Sequence, residues 1–403
     1  MKKIALYFAG LLLAASCIYP FDPETPPVDR CLVFEGDLVI GESSSMTVRL
    51  LQPLPSSSTT YATDDTRDYT IFGYAHVECS DGTIINGVPR ERVSEITFSF
   101  NLKEASADKS YRVVFTDANT GKVYRSNWMQ VEKAPLIERI DFVPDDRNVK
   151  VRLTLTGPTE DTRYFCWTYK EDWEFHSDFL PLYLYRYGVD PYNMRNQAYE
   201  EIQGEYDKYY CWNTASSKEI FVADTRDLNS RTLPYRQIAE FERTSLRCQL
   251  LYCISVTAYG ISADRYAYIH HMNEVSNIQG DLFSPNPSAM RGNLRCQQDS
   301  TELVLGYVGI CQTAMTRAFF EGSRYYTGRV DRTVLFYPDL AEPAEAESNE
   351  KGYDYFYSRG ERPLYLVAND DGDEQMIWAP RRCVDCTMTG TKDKPSYWPN
   401  SHK

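Results

Sequence analysis

Apolar and polar residues alternate in short runs over most of the chain, a pattern typical of strands that bury one face. Between residues 31 and 134 these runs are separated by turn-forming residues, including Asp81-Gly82 and the stretch 117–121. About seven strands over this range predict an N-terminal immunoglobulin-like β-sandwich. The pattern therefore favours a first domain at residues 31–134.

Strand patterns resume after Ala134-Pro135 and continue with longer interruptions. Residues 135–403 are therefore predicted to form a second, larger β-sandwich domain with loop and helix insertions. An aromatic-rich insertion is predicted at residues 171–210 and a helix at residues 262–278, with Ser262 as its N-cap. The predicted fold class is mainly β.

The N-terminus has the pattern of a secretory signal. Lys2 and Lys3 precede a short apolar run, and Cys17 directly follows Ala-Ala-Ser. This arrangement resembles the lipobox of bacterial lipoproteins, in which the cysteine is acylated after cleavage. We therefore expect residues 1–16 to be removed and Cys17 to carry lipid, the alternative being an ordinary signal with an incidental cysteine.

Residues 17–30 contain several prolines and predict a semi-rigid tether, about 40 Å long if it is extended. Asp22 and Glu24 resemble the acidic signal that sends many Bacteroidota lipoproteins to the cell surface. We expect a protein anchored in the outer membrane through lipid and exposed at the cell surface.

The formal charge of −14 makes nucleic acid an improbable partner, because a chain this acidic is repelled by phosphate backbones. The same argument applies to anionic lipid headgroups. Contact with the membrane is therefore expected through the lipid anchor and not through a basic surface.

Eleven cysteines, of which ten remain after lipidation, favour disulfide bonds in an oxidising compartment. Within the first predicted domain only Cys31 and Cys79 can pair. Cys383 and Cys386 have the spacing of a disulfide, a redox pair or half a zinc site. The disulfide candidates are Cys31, Cys79, Cys166, Cys211, Cys383 and Cys386. No complete set of metal ligands is evident, so neither a metal nor another cofactor is expected.

Aromatic residues crowd the predicted insertion, and rings with polar tips suit the recognition of a small molecule, a glycan or a peptide. They also suit the packing of a large loop. The candidate binding residues are Trp173, Tyr183, Tyr185, Tyr187 and Tyr192.

The sequence lacks a Gly-x-Ser-x-Gly nucleophile elbow, a His-Glu-x-x-His zinc motif and a glycine-rich phosphate loop. No catalytic residue can be assigned, and we expect a protein that is not an enzyme. A glycan hydrolase is the least favoured alternative, since its two carboxylates need not be close in sequence.

Three stretches resemble the Bacteroidota outer-membrane lipoproteins grouped as domain of unknown function 4249. They are "GDLFSPNPSAMRGNL" at 280–294, "LGYVGI" at 305–310 and "CVDCTMTGTKDKPSYW" at 383–398. Members of this family resemble companions of TonB-dependent transporters. The resemblance therefore implies a non-catalytic ligand-binding or docking role in nutrient uptake, and the alternative is an adhesin or fimbria-like structural lipoprotein.

Overall fold

Strands make up most of the regular structure, which confirms the prediction of a mainly β fold. The computed structural model describes residues 31–51, 70–92, 94–160, 162–185, 192–193, 208–228, 230–278, 291–330, 332–335, 355–368, 372 and 374–399. The predicted signal peptide and tether, residues 1–30 with Cys17, lie outside these ranges.

Within these ranges the strands are β1 (Cys31–Val39), β2 (Ser43–Leu51), β3 (Gly73–Cys79), β4 (Ile84–Asn86), β5 (Val88–Arg92), β6 (Glu95–Asn101), β7 (Ser110–Asp117), β8 (Val123–Ser126), β9 (Met129–Gln130), β10 (Leu136–Pro144), β11 (Asn148–Thr156), β12 (Tyr164–His176), β13 (Tyr183–Leu184), β14 (Tyr192–Asn193), β15 (Tyr210–Ser216), β16 (Phe221–Asp224), β17 (Thr232–Glu242), β18 (Leu251–Gly260), β19 (Leu294–Cys296), β20 (Val304–Cys311), β21 (Thr313–Glu321), β22 (Glu361–Ala368) and β23 (Glu374–Pro380). The main helix is α1 (Ala263–Ile278), and residues 355–358 form one further helical turn. Short 3-10 helices lie at Leu246–Cys248, Gly322–Arg324, Arg332–Val334, Arg381–Cys383 and Cys386–Met388.

Two sheets enclose the first hydrophobic core. One has the order β20-β1-β2-β6-β5, and the other has the order β19-β8-β7-β3-β4 with β9 beside β7. The rings of Phe34, Phe98, Phe115 and Tyr124 contact one another in this core, with centroid distances from 5.5 to 6.1 Å. Burying each such ring stabilises the fold by about 1.5–3 kcal/mol. We call these two sheets the first β-unit.

The first β-unit is not confined to the predicted range of residues 31–134. β20 pairs in parallel with β1 along its length, and β19 pairs with β8. Val304, Val308 and Ile310 of β20 point into the first core. Without β20, strand β1 would be an open sheet edge with unpaired backbone groups. Alternation in the sequence shows that β20 has a buried face, but it does not show which core receives that face.

A second pair of sheets forms the second β-unit, with the orders β10-β11-β17 and β15-β12-β18-β21 and with β16 beside β12. Apolar side chains of β11, β12 and β18 meet between them, among them Val151, Trp167 and Val256. The β22–β23 hairpin adds smaller clusters around Leu364 and Trp378.

The predicted insertion at 171–210 begins inside a regular strand, because β12 runs to His176. Three acidic residues are buried in this strand, namely Glu171, Asp172 and Glu174. From the sequence alone, charged residues so close together favour the prediction of a loop. The strand tolerates them because each carboxylate has a hydrogen-bond donor from another element. The donors are, in the same order, Arg247, Tyr397 and Trp398.

α1 starts directly after Ser262, the predicted N-cap. The Ser262 hydroxyl accepts a hydrogen bond from the backbone N–H of Arg265 at 3.2 Å, which satisfies one of the free donors of the first turn. Ile269 is buried against the second β-unit, whereas Met272 is exposed. The cap fixes the position of Arg265 at the junction of the two β-units.

Candidate functional site

A cavity of about 320 Å³ lies where the first β-unit meets the start of α1 and the end of β18. Its walls include Asp37 of β1, Glu132 after β9, Tyr307 of β20 and Arg265 of α1, and Trp128 lies at its rim. We call this cavity the junction cleft. Its volume is at the small end of the range for ligand pockets.

An ion pair between Asp37 and Arg265 joins the two β-units at the cleft. One terminal nitrogen of Arg265 donates to both carboxylate oxygens of Asp37, at 3.0 and 3.1 Å. The other donates to the backbone carbonyl of Tyr307 at 3.2 Å. Arg265 is 8% exposed, so these partners replace the water that would otherwise solvate its charge.

Glycine opposite Asp37 leaves room for this pair. Asp37 lies next to Gly309 in the pairing of β1 with β20. A Cβ atom at position 309 would come within 2.7 Å of Oδ1 of Asp37. Any larger side chain would therefore displace the carboxylate from Arg265.

Glu132 lies on the other side of β20. Its backbone forms a parallel bridge with Cys311, and its carbonyl accepts the N–H of Gln312 at 2.8 Å. Burial raises the pKa of the Glu132 carboxyl. Among the described residues, no side chain donates a hydrogen bond to this carboxyl, so a bound molecule is free to do so.

Aromatic surface completes the cleft. Trp128 is 46% exposed, and the Arg112 guanidinium lies 4.6 Å from the centroid of its ring. The Arg265 guanidinium lies 4.9 Å from the ring centroid of Tyr307. Exposed Trp and Tyr rings supply large contact area with little loss of side-chain entropy on binding.

A second cavity of about 570 Å³ lies beside the same ion pair, and we call it the helix groove. Asp37, Arg265 and Tyr307 line both cavities. The helix groove also contains Tyr268 and Met272 of α1. The ion pair therefore lies at the boundary between two hollows along the junction.

The aromatic residues predicted to bind a ligand do not line the junction cleft. Trp173 is 7% exposed and packs in the second core, with the Arg247 guanidinium 4.2 Å from its ring centroid. Tyr185 is 2% exposed and packs against Trp378. These two rings cannot form an exposed contact surface, which corrects the prediction for them.

The other candidate aromatics have different positions. Tyr183 is half-buried in β13, which pairs with β14, where Tyr192 lies. Tyr187 lies outside the described residues. The number of aromatic residues in the sequence does not show which rings pack in a core and which are exposed for binding, because both roles favour the same residue types.

The predicted cysteine pairs are also corrected. Cys386 is bonded to Cys211, 175 residues away in sequence, and not to Cys383. Cys31 and Cys79 are separate buried thiols, at the start of β1 in one sheet and at the end of β3 in the other. Cys166 is also a buried thiol, and burial raises its pKa, which makes it a poor nucleophile.

The Cys211–Cys386 bond holds the C-terminal segment to β15. Asp385 beside it accepts hydrogen bonds from the Thr387 hydroxyl and from the Arg381 guanidinium, the latter at 2.8 Å. Burial alone would raise the pKa of Asp385, but these hydrogen bonds outweigh it and lower the pKa. Asp385 therefore stabilises the segment as a carboxylate.

In the part of the chain that the structure describes, no group of three or more His, Cys, Asp or Glu side chains is placed to hold a metal ion. No described helix is both long enough and apolar enough to span a membrane.

The residues of the junction cleft could not be identified from the sequence. Glu132 and Trp128 belong to an ordinary strand pattern, and Arg265 is one of many charged helix residues. Contacts with β20 bring two of them together, because Glu132 bridges Cys311 and Arg265 donates to the carbonyl of Tyr307. A signal that could have pointed to the site is Gly309 within a run of buried apolar residues, since glycine inside a strand often marks close approach of another group.

Comparison with known proteins places the chain in a family. No curated protein matches it. The solved structures that match include a DUF4785 family protein from Legionella pneumophila, with 9% sequence identity and a TM-score of 0.18, covering 56% of this chain and 52% of that one. The chain thus spans about half the length of that structure. The family described as "Domain of unknown function (DUF4249)" matches residues 18–317. The chain belongs to the DUF4249 family.

Proposed function

We propose that this protein is a non-catalytic ligand-binding lipoprotein that captures a small molecule, glycan or peptide in the junction cleft. The observation that carries the proposal is the half-buried Glu132 carboxyl, which faces a cavity and has no side-chain donor among the described residues. The exposed ring of Trp128 supplies contact area beside it. An acceptor and an aromatic surface in one cavity are the usual components of a ligand site.

The absence of a catalytic role is part of the proposal. Hydrolysis of a glycan needs two carboxylates that are available to the substrate. Both oxygens of Asp37 accept hydrogen bonds from Arg265, so Asp37 is unsuited to act as a base or nucleophile. Of the two other carboxyls in the lining, Glu132 is half-buried and Asp264 is exposed, and we assign both to binding rather than to hydrolysis.

We further propose that the protein is anchored in the outer membrane through lipid on Cys17, faces the cell surface, and acts as a companion of a TonB-dependent transporter in nutrient uptake. The lipobox-like sequence and the proline-rich stretch 17–30 support the anchor and a tether. The two pairs of sheets are proposed to be two β-sandwiches of immunoglobulin-like type.

Two measurements test this proposal. In the first, thermal shift of the purified chain is recorded with a mixed library of sugars, amino acids, short peptides, amines and organic acids. A rise in melting temperature that is lost in Trp128→Ala supports ligand capture in the cleft. No response to any compound, or an equal response in the variant, would refute it.

In the second, tagged full-length protein is recovered from detergent-solubilised outer membranes, with Cys17→Ala as the matched control. A stoichiometric TonB-dependent barrel that accompanies only the lipidated form supports the companion role. Recovery of the lipoprotein alone contradicts a stable complex with a transporter.

An adhesin is the second candidate function. β5 ends its sheet, and all five of its residues are exposed, so this edge could accept a strand from another chain. However, Pro89 and the charged residues 90–92 protect such edges from pairing. Ladders of the protein in native gels would favour the adhesin.

A further inference from the structure

The ionisable groups of the junction cleft leave an excess of negative charge. Its lining includes Asp37, Glu132, Asp264 and Arg265. Arg265 is already paired with Asp37. Glu132 and Asp264 also line the cavity, and neither has an ion pair with any described residue.

Glu132 has the stronger need for a partner, because it is half-buried whereas Asp264 is exposed. Removing a carboxylate from water is unfavourable unless a positive charge or hydrogen-bond donors compensate. The rise in its pKa has burial as its cause. A positively charged group of a ligand would supply the missing compensation.

The N-terminus of α1 does not reverse the preference of the cleft for a positively charged ligand. A helix N-terminus attracts anions when its N–H groups are free. Here Ser262 accepts the N–H of Arg265, and Asp264 places a negative charge in the first turn. An anionic ligand would therefore meet Asp264 and Glu132 without a free cation to hold it.

The aromatic side chains suit a cation as well. Trp128 already holds a guanidinium over its ring, that of Arg112, which shows a geometry favourable for cation–π contact. Arg112 is itself paired with Glu78. An apolar ligand body can pack against Trp128 and Tyr307 while its charged end reaches Glu132.

We infer that the junction cleft selects a small organic cation, an amine that carries an apolar body, over anionic or neutral molecules of the same shape. This inference rests on the proposed ligand-binding function, and it names the class of ligand for that cleft. The cavity of about 320 Å³ limits the ligand to a small molecule.

Calorimetry with matched pairs tests the inference on the full-length chain in detergent. The probes are phenethylamine against 2-phenylethanol and butylamine against 1-butanol, which differ in charge but hardly in size. We expect each amine to bind about tenfold more tightly than its alcohol, a difference equal to about 1.4 kcal/mol. In Glu132→Gln this preference should fall below about threefold.

Control variants separate the cleft from the general acidity of the chain. Glu91→Gln removes one carboxylate from β5, at the opposite edge of the same sheet, and should keep the full preference. If Glu132→Gln does not fold, Asp264→Asn replaces it as the test variant, because Asp264 is exposed. It should also reduce the preference for the amine.

Four results would overturn the inference. Equal binding of amine and alcohol, or a preference that survives Glu132→Gln, would exclude selection of a cation by this carboxyl. If only neutral or anionic compounds of the mixed library bind, the inferred cationic class of ligand is wrong, but the proposed ligand binding in the cleft is still supported. If no library compound and no amine binds, ligand capture fails and the inference fails with it.

Discussion

The contact between Trp398 and Glu174 gives the sharpest test of how the C-terminal segment is held. The indole N–H of Trp398 donates to Oε2 of Glu174 at 2.7 Å, and Glu174 is completely buried. Trp398→Phe keeps an aromatic ring in place but removes this donor. Removing the donor leaves a buried acceptor unsatisfied, which costs about 1–3 kcal/mol.

For a folded unit of about 200 residues, each 1 kcal/mol corresponds to about 2–4 °C in melting temperature. We therefore expect Trp398→Phe to lower the melting temperature by about 2–12 °C in differential scanning fluorimetry. Trp128→Phe is the matched control at an exposed ring and should change it by less than about 2 °C.

A double-mutant cycle separates the hydrogen bond from ring packing. In a Glu174→Leu background, Trp398→Phe should have little further effect, because the acceptor is already absent. An equal drop in both backgrounds, or a drop no larger than that of Trp128→Phe, would refute the role of this hydrogen bond.

Three further predictions concern the disulfide, the ion pair and pH. Replacing Cys211 and Cys386 together by Ala should lower the free energy of unfolding by up to about 5 kcal/mol, since the bond closes a loop of 175 residues, and unchanged denaturant curves would contradict this. Gly309→Ala should lower stability by about 1–3 kcal/mol because the new methyl group crowds Asp37, and an unaltered melting temperature would argue against the close approach. Because the pKa of Asp385 is lowered in the fold, its contribution is present above the unfolded pKa of about 3.9 and is lost as pH falls through the lower folded value, so the stability gap between wild type and Asp385→Asn should close on acidification.

The mainly β class and several individual strands follow from alternation alone. Alternation between residues 31 and 134, for example, predicts short strands, and β1 to β9 lie in this range. Ser262 was identifiable as an N-cap because capping depends on residues close in sequence. Local chemistry of this kind can be determined without the fold.

Features that depend on distant partners could not be predicted. Glu171 looks like a loop residue until Arg247 is known to lie beside it. Cys386 looks paired with Cys383 until the C-terminal segment is placed against Cys211. The junction cleft depends on the same kind of information, since its lining residues come from five separate stretches of chain.

The parallel pairing of β1 with β20 also determines the order in which the chain can fold. Cys31 at the start of β1 contacts the carbonyl of Leu303, 272 residues away in sequence. Until β20 is available, β1 is an open edge and the first core lacks three of its apolar side chains. Contacts between such distant residues slow folding and prolong the exposure of aggregation-prone surface. The chain is therefore expected to depend on a holding chaperone until its C-terminal half is available for pairing.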